Sequence, residues 1–452
     1  MSASNPKASS AVIVGLGRTG LSCARYLREH GWRLVVTDSR AEPPQLAALR
    51  ALDAGIPVRL GGLDVRLLDE ALCVIVSPGV SLQAPFFAEA RRRGLEVVGD
   101  IELFARAVNA PVAGITGTNG KSTVTTLVGR MAARAGMQVK VGGNLGEPAL
   151  DLLAAADRSG EAVGLYVLEL SSFQLEVTHS LDLAAAAVLN VSPDHLDRYS
   201  SVAAYADAKA RIFSRTAAAV INLDDPLAAA MPSPGQRTLS FSLRAESGAD
   251  YAVAMHDGGA WLTHRGEPLL PIAAMRIRGL HNAANALAAL ALGEALDLPL
   301  PAMLAELQAF TGLPHRTQWV AELGRVTYID DSKGTNVGAT IAAVAGMEGP
   351  LVIIAGGEGK NQDFGPLAPA FRGKVRHTVL IGRDARMVGE ALRGVCTTEY
   401  RPSLEDAVRA AAAAARPGDT VLLSPACASL DMFRDYAHRG AVFAQAVREM
   451  AS

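Results

Sequence analysis

Short apolar runs alternate with helix-like stretches along most of the chain. In the first hundred residues, apolar runs at 11–14, 34–37 and 73–76 are strand-like, and residues 21–29 follow a helical pattern. Strands that alternate with helices are typical of βα units, whose strands pair in parallel. The pattern therefore predicts an N-terminal α/β domain that covers residues 1–100.

The same alternation starts again twice. The stretch 101–312 contains a predicted strand at 165–170 and an Ala- and Leu-rich helix at 282–296. After Pro314, each further strand is followed by Gly, Ser or Asp and then a helical pattern; these strands are predicted at 326–329, 351–355, 378–381 and 420–423. The sequence thus predicts a central domain with a mostly parallel sheet and a doubly wound third domain, residues 313–452.

Length and composition limit the possible classes of protein. A chain of 452 residues is too long for one hydrophobic core, and its length favours about three domains. Charges interrupt the apolar stretches before they reach the roughly 18 residues of a membrane-spanning helix, and residues 1–10 show no apolar secretion segment. The net charge of -2 gives no strong field for nucleic acid. We expect a cytoplasmic protein with no membrane insertion and no nucleic-acid partner, and a monomer.

A glycine-rich loop after the apolar run 111–115 carries a strong chemical signal. It reads Gly117-Thr118-Asn119-Gly120-Lys121-Ser122-Thr123, and a helical pattern begins around Val124. Such a loop turns backbone amides toward anionic oxygens, its lysine can reach a terminal phosphate, and Ser122 or Thr123 can hold Mg²⁺. The spacing departs from the strict P-loop, because Ile115 stands where that motif has its first Gly. The loop predicts nucleoside triphosphate binding; a glycine-rich turn with a surface lysine is the alternative.

A second glycine-rich loop follows the first predicted strand. It reads Gly15-Leu16-Gly17-Arg18-Thr19-Gly20, and the next strand ends at Asp38, about where a dinucleotide fold places its ribose-binding acid. Taken alone, this loop favours NAD, so a dehydrogenase is one hypothesis. A purely structural tight turn is another.

Glu169 lies near the end of the apolar run 165–170, which is typical of a buried parallel strand. An unpaired ionised carboxylate in a core is costly, and α/β sheets bind ligands at the carboxyl ends of their strands. We predict that Mg²⁺ faces Glu169; neutralisation by a neighbouring Arg or Lys is the alternative.

Two further candidates follow in the same segment. His195 lies in the loop 190–199, which is dense in ligating groups, and a neutral imidazole can ligate a metal or bind a carboxylate. A lone histidine in a loop is, however, usually solvated. Lys209 lies in the helical stretch 203–212, and its residue type alone predicts an exposed surface side chain.

Polar side chains also follow the strands of the third segment, at the edge where a parallel sheet binds ligands. Arg316, which comes directly after the domain boundary, and Lys333, which follows a strand, are candidates to stabilise a transferring phosphoryl group. Lys360 and hydroxyls such as those of Thr335 and Ser429 are candidates to hold a small anionic substrate.

Eight motifs occur in one order along the chain: GTNGKST, ELSSFQLE, NVSPDHLDRY, HNAANA, GLPHR, DSKGTN, GGEGK and LLSPACASLD. Together they resemble the Mur ligases of peptidoglycan synthesis, over nearly the whole chain from Gly15 to Phe443. The resemblance implies a Rossmann-like N-terminal domain that binds UDP, a central P-loop-type ATPase domain and a Rossmann-like C-terminal domain that brings the amino acid. It also implies that ATP phosphorylates the carboxylate of UDP-N-acetylmuramoyl-L-alanine, and that the amine of D-glutamate captures the acyl phosphate.

The resemblance also implies roles for individual residues. The implied catalytic residues are Lys121, His195, Lys209, Asn144 and Arg316. ATP would be bound by residues 117–123 with Asn282, Asn285, Arg316 and Asp331. Two Mg²⁺ sites are implied, with Ser122 and Glu169 at the first, and His195 and a carbamylated Lys209 at the second. The UDP substrate would lie against Gly15, Leu16, Gly17, Arg18, Thr19, Asp38, Ser77 and Asn144. Glutamate would meet Thr335, Lys360, Ser429, Leu430 and Tyr436.

Three positions depart from the family's pattern. Gly334 replaces the commoner Ala and Glu358 the commoner Asp, and we expect both changes to leave the backbone path unaltered. Tyr436 stands where relatives often have Phe, so its hydroxyl can change how the pocket meets the amino acid. L-glutamate is therefore an alternative substrate.

Other acceptors are further alternatives, as in folylpolyglutamate synthetase or a Mur ligase that adds a diamino acid. Folylpolyglutamate synthetase lacks a UDP-binding N-terminal domain of this kind. A ligase that adds a diamino acid should have a different N-terminal domain and an arginine-bearing recognition motif, which this sequence does not show. The predicted ligand residues are split across three segments of the chain. We therefore also expect the C-terminal domain to close over the N-terminal and central domains.

Overall fold

The computed structural model describes residues 10–277, 279–347 and 349–450. The residues at both ends of the predicted domain arrangement, 1–9 and 451–452, lie outside the described residues. Three separate sheets confirm the predicted α/β fold class. None of the described helices combines the length and the apolar content that crossing a membrane would require.

The N-terminal sheet is wholly parallel, with strand order β3-β2-β1-β4-β5. Its strands are β1 Ser10–Val14, β2 Arg33–Asp38, β3 Val58–Leu60, β4 Cys73–Val76 and β5 Glu96–Val98. Its helices are α1 Arg18–Glu29, α2 Leu46–Leu52, α3 Pro85–Arg92 and α4 Asp100–Ala105. The predicted boundary after residue 100 falls inside α4, which packs on α1 and on the helix Ala149–Ser159 of the central domain.

The central sheet has nine strands in the order β14-β13-β12-β11-β10-β9-β6-β8-β7. They are β6 Val112–Thr116, β7 Val139–Gly143, β8 Leu165–Glu169, β9 Leu183–Val188, β10 Thr216–Asn222, β11 Thr238–Ser242, β12 Tyr251–His256, β13 Gly259–His264 and β14 Glu267–Pro271. The helices are α5 Lys121–Arg134, α6 Ala149–Ser159, α7 Ser172–Leu175, α8 Val202–Ala210, α9 Pro226–Ala229, α10 Leu280–Ala295 and α11 Leu300–Ala309. Only the last three strands form antiparallel pairs, so the described sheet is mostly parallel, as predicted.

The C-terminal sheet has the order β15-β16-β20-β17-β18-β19, and only its edge strand β15 is antiparallel within the described chain. The strands are β15 Gln318–Leu323, β16 Val326–Asp330, β17 Leu351–Gly356, β18 Val375–Ile381, β19 Thr397–Tyr400 and β20 Thr420–Leu423. The helices are α12 Val337–Gly346, α13 Leu367–Phe371, α14 Ala385–Ala391, α15 Leu404–Ala414 and α16 Tyr436–Glu449.

The predicted start of one helix is wrong, and one set of strands was not predicted. Helix α5 begins at Lys121 and not near Val124, because Gly120 has the left-handed conformation from which the helix can start directly. The antiparallel strands β12 to β14 were not predicted. The parallel strands, by contrast, are apolar runs buried on both faces; all five residues of β6 and of β8 are buried.

Candidate active site

The phosphate loop joins β6 to α5 at the carboxyl edge of the central sheet. Gly120 has a φ of +84°, a left-handed conformation that glycine adopts without steric cost. A Cβ atom added there would lie 2.4 Å from Oδ1 of Asn285, so α10 packs directly on the loop. Nζ of Lys121 donates hydrogen bonds to the carbonyl oxygens of Gly117 and Thr118, at 2.9 Å each. Burial lowers the pKa of Lys121, although the negative charges of Glu169 and Asp194 act to raise it.

Glu169 ends β8 beside this loop, and 4% of the residue is exposed. Oγ of Ser122 donates to its Oε2 at 2.5 Å, and Nδ2 of Asn144 donates to its Oε1 at 2.7 Å. Burial acts to raise the pKa of Glu169, but the charge of Lys121 and these two hydrogen bonds outweigh it and hold the pKa below its usual value. The carboxylate is therefore ionised, with a hydroxyl and an amide as its direct partners.

Lys209 is 1% exposed, so the expectation of a surface lysine is wrong. Its Nζ donates to the carbonyl oxygen of Gly117 at 2.9 Å and lies 4.3 Å from the ring centroid of Tyr205. Burial, together with the charge of Lys121, lowers the pKa of Lys209 well below its usual value. The fold thus places an amine with a weakened hold on its proton directly under the phosphate loop.

His195 faces the same cleft and packs against the edge of the Phe173 ring, with the centroids 5.0 Å apart. Burial lowers the pKa of His195 to about 4, so the ring is neutral near pH 7. A neutral imidazole is the form that ligates a metal. The side chain is 33% exposed, so this loop histidine is partly solvated and partly packed against aromatic rings.

The C-terminal domain and the segment that leads to it bring cations to this cleft. Nη2 of Arg316 donates to Oγ of Ser122 at 2.5 Å. Burial, with the charges of Arg316 and Lys121, lowers the pKa of Lys333 to about 8, and Nζ of Lys333 lies 4.0 Å from the ring centroid of Tyr436. Lys360 also lines the cleft, where its Nζ forms an ion pair with Asp194 at 2.6 Å. The cleft is therefore strongly basic, as a site for several anionic groups should be.

A cavity of about 330 Å³ opens from the cleft between α10 and the C-terminal domain. All four side chains predicted near ATP line it: Asn282, Asn285, Arg316 and Asp331. Asp331 accepts hydrogen bonds from Oγ of Ser424 at 2.8 Å and from the N–H of Thr317 at 3.1 Å. Burial raises the pKa of Asp331 to about 7.

A larger cavity, of about 710 Å³, lies beside the N-terminal glycine loop. Seven of the eight residues predicted for the UDP substrate line it, namely Gly15, Gly17, Arg18, Thr19, Asp38, Ser77 and Asn144. Leu16 is fully buried and contributes its N–H, which donates to Oδ2 of Asp38 at 2.7 Å.

Asp38 is already paired within the chain. The guanidinium of Arg40 donates to both of its carboxylate oxygens, at 2.8 and 2.7 Å. Burial acts to raise the pKa of Asp38, but Arg40 and the N–H of Leu16 outweigh it and lower the pKa to about 2. Because both oxygens hold donors, this carboxylate has little capacity left for the ribose hydroxyls of NAD.

Of the residues predicted to bind the substrate glutamate, two line the cleft, namely Thr335 and Lys360. Tyr436 reaches it through its contact with Lys333. Ser429 is buried in the turn before α16, where its carbonyl accepts the N–H of Phe433 at 2.8 Å, and Leu430 is 68% exposed. In the described chain these two residues are not part of the cleft lining.

Sequence reasoning passed over three residues that the geometry makes prominent. Asp194 and Asn336 lie at the contact between the central and C-terminal domains, and Arg40 lines the larger cavity. Asp194 precedes His195 within one motif, and Arg40 follows Asp38 by two positions, so both lay beside residues that were singled out.

Comparisons with known proteins cover almost the whole chain. Three family profiles match in order: the Mur ligase MurD-like N-terminal domain at residues 9–99, the Mur ligase middle domain at 115–293, and the Mur ligase glutamate ligase domain at 315–427. UDP-N-acetylmuramoylalanine–D-glutamate ligase of Methylococcus capsulatus is 51% identical, over 98% of this chain and 95% of the relative. The protein of the same name from Pseudomonas aeruginosa is 49% identical, over 97% and 98%.

Solved structures show the same fold at low identity. UDP-N-acetylmuramate–alanine ligase of Thermotoga maritima superposes with a TM-score of 0.62 at 19% identity, covering 98% of this chain and 99% of the other. MurF of Acinetobacter baumannii gives a TM-score of 0.60 at 16% identity, with coverage of 98% and 92%. With half of its residues shared with full-length relatives, the chain belongs to the Mur ligase family, among the UDP-N-acetylmuramoylalanine–D-glutamate ligases.

Proposed function

We propose that the chain joins D-glutamate to UDP-N-acetylmuramoyl-L-alanine in an ATP-dependent reaction that leaves an amide, ADP and phosphate. The names of its full-length relatives support this. The structural observation that carries the proposal is the position of Asn144, which lines both the large N-terminal cavity and the Lys121 cleft. A substrate whose UDP lies beside Gly15 can therefore extend its carboxylate past Asn144 to the phosphate loop.

The chemistry requires activation of that carboxylate. Oxide is a poor leaving group, so an amine cannot displace it until the γ-phosphoryl group of ATP has been transferred to form an acyl phosphate. Lys121 and Arg316 would stabilise the negative charge on the transferring group, since both line the cleft and Arg316 donates to Ser122 at the start of α5. Phosphate then leaves when the amine of glutamate attacks.

A magnesium site fits the residues beside the phosphate loop. Ser122 and the ionised Glu169 offer hard oxygen ligands, which Mg²⁺ prefers. Among the described residues, no three His, Cys, Asp or Glu side chains form a ready-made metal site. This suits Mg²⁺, which usually takes only one or two protein ligands and completes its shell with phosphate oxygens and water. When bound, the ion would neutralise phosphate charge.

The second proposed metal site involves His195 and a carbamate on Lys209. Carbamate formation needs an unprotonated amine, which attacks carbon dioxide and loses a proton, and the lowered pKa of Lys209 favours that form. The product is an anionic ligand beside the neutral His195. Carbon-13 NMR in labelled bicarbonate would test it: we expect a carbamate resonance in the wild type that is absent from Lys209→Ala.

Glutamate would enter from the C-terminal side of the cleft. Lys360 and Lys333 supply two cations for its two carboxylates, and Thr335 adds a hydroxyl. We propose that Ser429 and Leu430 join this pocket only when the C-terminal domain closes. We also propose that the protein acts as a monomer.

A phosphate-release assay tests the proposed function. We expect release to require ATP, UDP-N-acetylmuramoyl-L-alanine and D-glutamate together, with L-glutamate a much poorer substrate. Equal rates with both enantiomers would contradict the stated specificity. ATP turnover that depends on neither the UDP substrate nor glutamate would defeat the proposal. The family membership already argues against the dehydrogenase hypothesis.

A further inference from the structure

Asp194 of the central domain makes direct hydrogen bonds to two residues of the C-terminal domain. Nζ of Lys360 donates to Oδ1 of Asp194 at 2.6 Å, and Nδ2 of Asn336 donates to Oδ2 at 3.3 Å. Asn336 follows β16 and Lys360 follows β17, so each oxygen of one carboxylate holds a different loop of the C-terminal sheet. The side chains of Asp194 and Lys360 are 7% and 16% exposed, so the ion pair is largely shielded from water.

Both sides of this contact are fixed by further hydrogen bonds. The N–H of His195 donates to Oδ1 of Asp194 at 2.9 Å, which orients the carboxylate from within its own loop. Asn336 also pairs with the side chain of Asn119 in the phosphate loop, at 3.2 and 3.3 Å, and caps α12 by accepting the N–H of Ala339. The carboxylate is thus a fixed point to which the C-terminal loops attach.

The backbone of Lys360 supports the same view. Lys360 and Asn361 have φ values of +52° and +58°, in the left-handed region that residues other than glycine seldom adopt. Such conformations persist where the surroundings determine them strongly. A lysine ammonium has three donors, and the bond to Asp194 occupies one of them.

We propose that Asp194 is a positioning residue, which holds Lys360 over the cleft so that its remaining donors meet a carboxylate of the amino-acid substrate. By the same contacts Asp194 stabilises this arrangement of the C-terminal and central domains before that substrate binds. The first part rests on the proposed function, because it takes Lys360 as a ligand of glutamate; the second part does not.

An opposite role would use the same ion pair. Asp194 would then occupy the place of a substrate carboxylate and would have to leave when glutamate arrives. The hydrogen bonds from His195 and Asn336 speak against this, because a displaced group would lose them too. The two roles predict opposite changes in the KM for glutamate.

The test replaces Asp194 by Asn, which keeps the size of the side chain and removes its charge. We expect the KM for D-glutamate to rise about tenfold, with kcat and the KM for the UDP substrate changed by less than about threefold. Asp197→Asn is the matched control, since Asp197 is an exposed aspartate in the same loop. A fall in the KM for glutamate, or no change, would overturn the positioning role.

A double-mutant comparison shows whether Asp194 acts through Lys360. Lys360→Met should raise the KM for glutamate by itself, and adding Asp194→Asn should then have little further effect. A further tenfold rise in the double variant would mean that Asp194 acts by another route, and the proposal would fail.

Two measurements keep the proposal testable if Asp194→Asn folds poorly or if glutamate is not the substrate. Asn336→Ser retains a helix-capping hydroxyl but removes the amide that donates to Asp194, and should raise the KM for glutamate about threefold. An unchanged KM would count against the proposal. Small-angle scattering of the ligand-free protein needs no substrate. We expect a larger radius of gyration for Asp194→Asn, or for Asn336→Ser in its place, than for wild type and Asp197→Asn, and equal values would overturn the domain contact.

Discussion

The central domain meets its two neighbours through very different contacts. Toward the N-terminal domain, one apolar cluster runs without a break from Ile13 of β1 through Phe104 of α4 to Leu150 and Tyr166 of the central domain. Toward the C-terminal domain, the contacts named above are polar: Asn119 with Asn336, Asp194 with Lys360, and Ser122 with Arg316. The described apolar clusters of the C-terminal domain contain only residues from 320 onward.

This difference predicts which part of the molecule moves. Apolar burial is lost as soon as two surfaces separate, so the first junction should behave as one rigid body. Polar groups at the second junction can exchange protein partners for water or substrate at small net cost. We therefore expect the C-terminal domain to close and open while the other two domains move together.

The largest effect should follow from breaking the apolar junction. Phe104 is fully buried, and its ring meets that of Tyr166 edge-on with the centroids 5.2 Å apart. Phe104→Ala should destabilise the joint N-terminal and central unit by about 3–5 kcal/mol, through lost burial and the cavity left behind. Scanning calorimetry should show that unit's transition at a lower temperature.

Phe371→Ala is the matched control, because Phe371 is fully buried in the C-terminal domain's own core. It should lower only the transition of the C-terminal domain. If Phe104→Ala left the central domain's unfolding unchanged, the two domains would not share one core energetically.

In the phosphate loop beside the polar junction, a single substitution should strongly reduce catalysis. Lys121→Ala takes a cation from the transferring phosphoryl group, and we expect kcat/KM for ligation to fall by about 10²–10³-fold. Lys140→Ala, which removes a half-buried lysine of the same domain, should retain activity. Ligation at the wild-type rate in Lys121→Ala would refute the role of the phosphate loop.

The apolar junction also contains a titratable group, which gives it a pH dependence. Burial raises the pKa of Asp100 from 3.8 to about 6, and Nε2 of Gln174 donates to it at 3.1 Å. The folded protein therefore binds more protons than the unfolded chain between pH 4 and 6, so this contribution to stability is complete below pH 4 and is lost as the pH rises through 6.

Asp100→Asn has no carboxyl group to ionise at this position. The unfolding free energy of the variant minus that of the wild type should therefore increase by up to about 3 kcal/mol between pH 4 and pH 7. Denaturant unfolding at several pH values measures this difference, with Asp157→Asn as an exposed control. A difference that does not vary with pH would show that Asp100 titrates normally.

The smallest effect should come from salt. The ion pair of the polar junction is largely shielded from water, so raising the salt concentration should weaken it only slightly while leaving the apolar junction intact. Scattering of the ligand-free protein should show a small expansion that Asp194→Asn lacks. Equal expansion in both proteins would place the salt-sensitive contact elsewhere.

The same distinction explains what could be predicted from the sequence. The strand at 73–76 has its predicted bounds, because an apolar run buried on both faces is a local signal. The strands β12 to β14 were missed because they are only partly buried and contain polar residues, so they lack such a run. The burial of Lys209 arises from contacts with Gly117 and Tyr205, which are distant or weakly marked in sequence. Residue type alone therefore predicted the opposite.

Among the site residues, those on the two glycine-rich loops could be predicted because the motifs themselves determine the backbone. The pairing of Asp194 with Lys360 could not, since it depends on how two domains meet across 166 positions of sequence. For Ser429 and Leu430 the predicted role stays a prediction that depends on domain closure.

The central claim is that ATP transfers its γ-phosphoryl group to the carboxylate of the UDP substrate, and the fate of that carboxylate's oxygen tests it most directly. UDP-N-acetylmuramoyl-L-alanine labelled with oxygen-18 in its carboxylate would be ligated to D-glutamate, and the released phosphate analysed by mass spectrometry. We predict one labelled oxygen in each phosphate released, because the acyl phosphate breaks at its carbon–oxygen bond. Unlabelled phosphate accompanying normal amide formation would contradict the account.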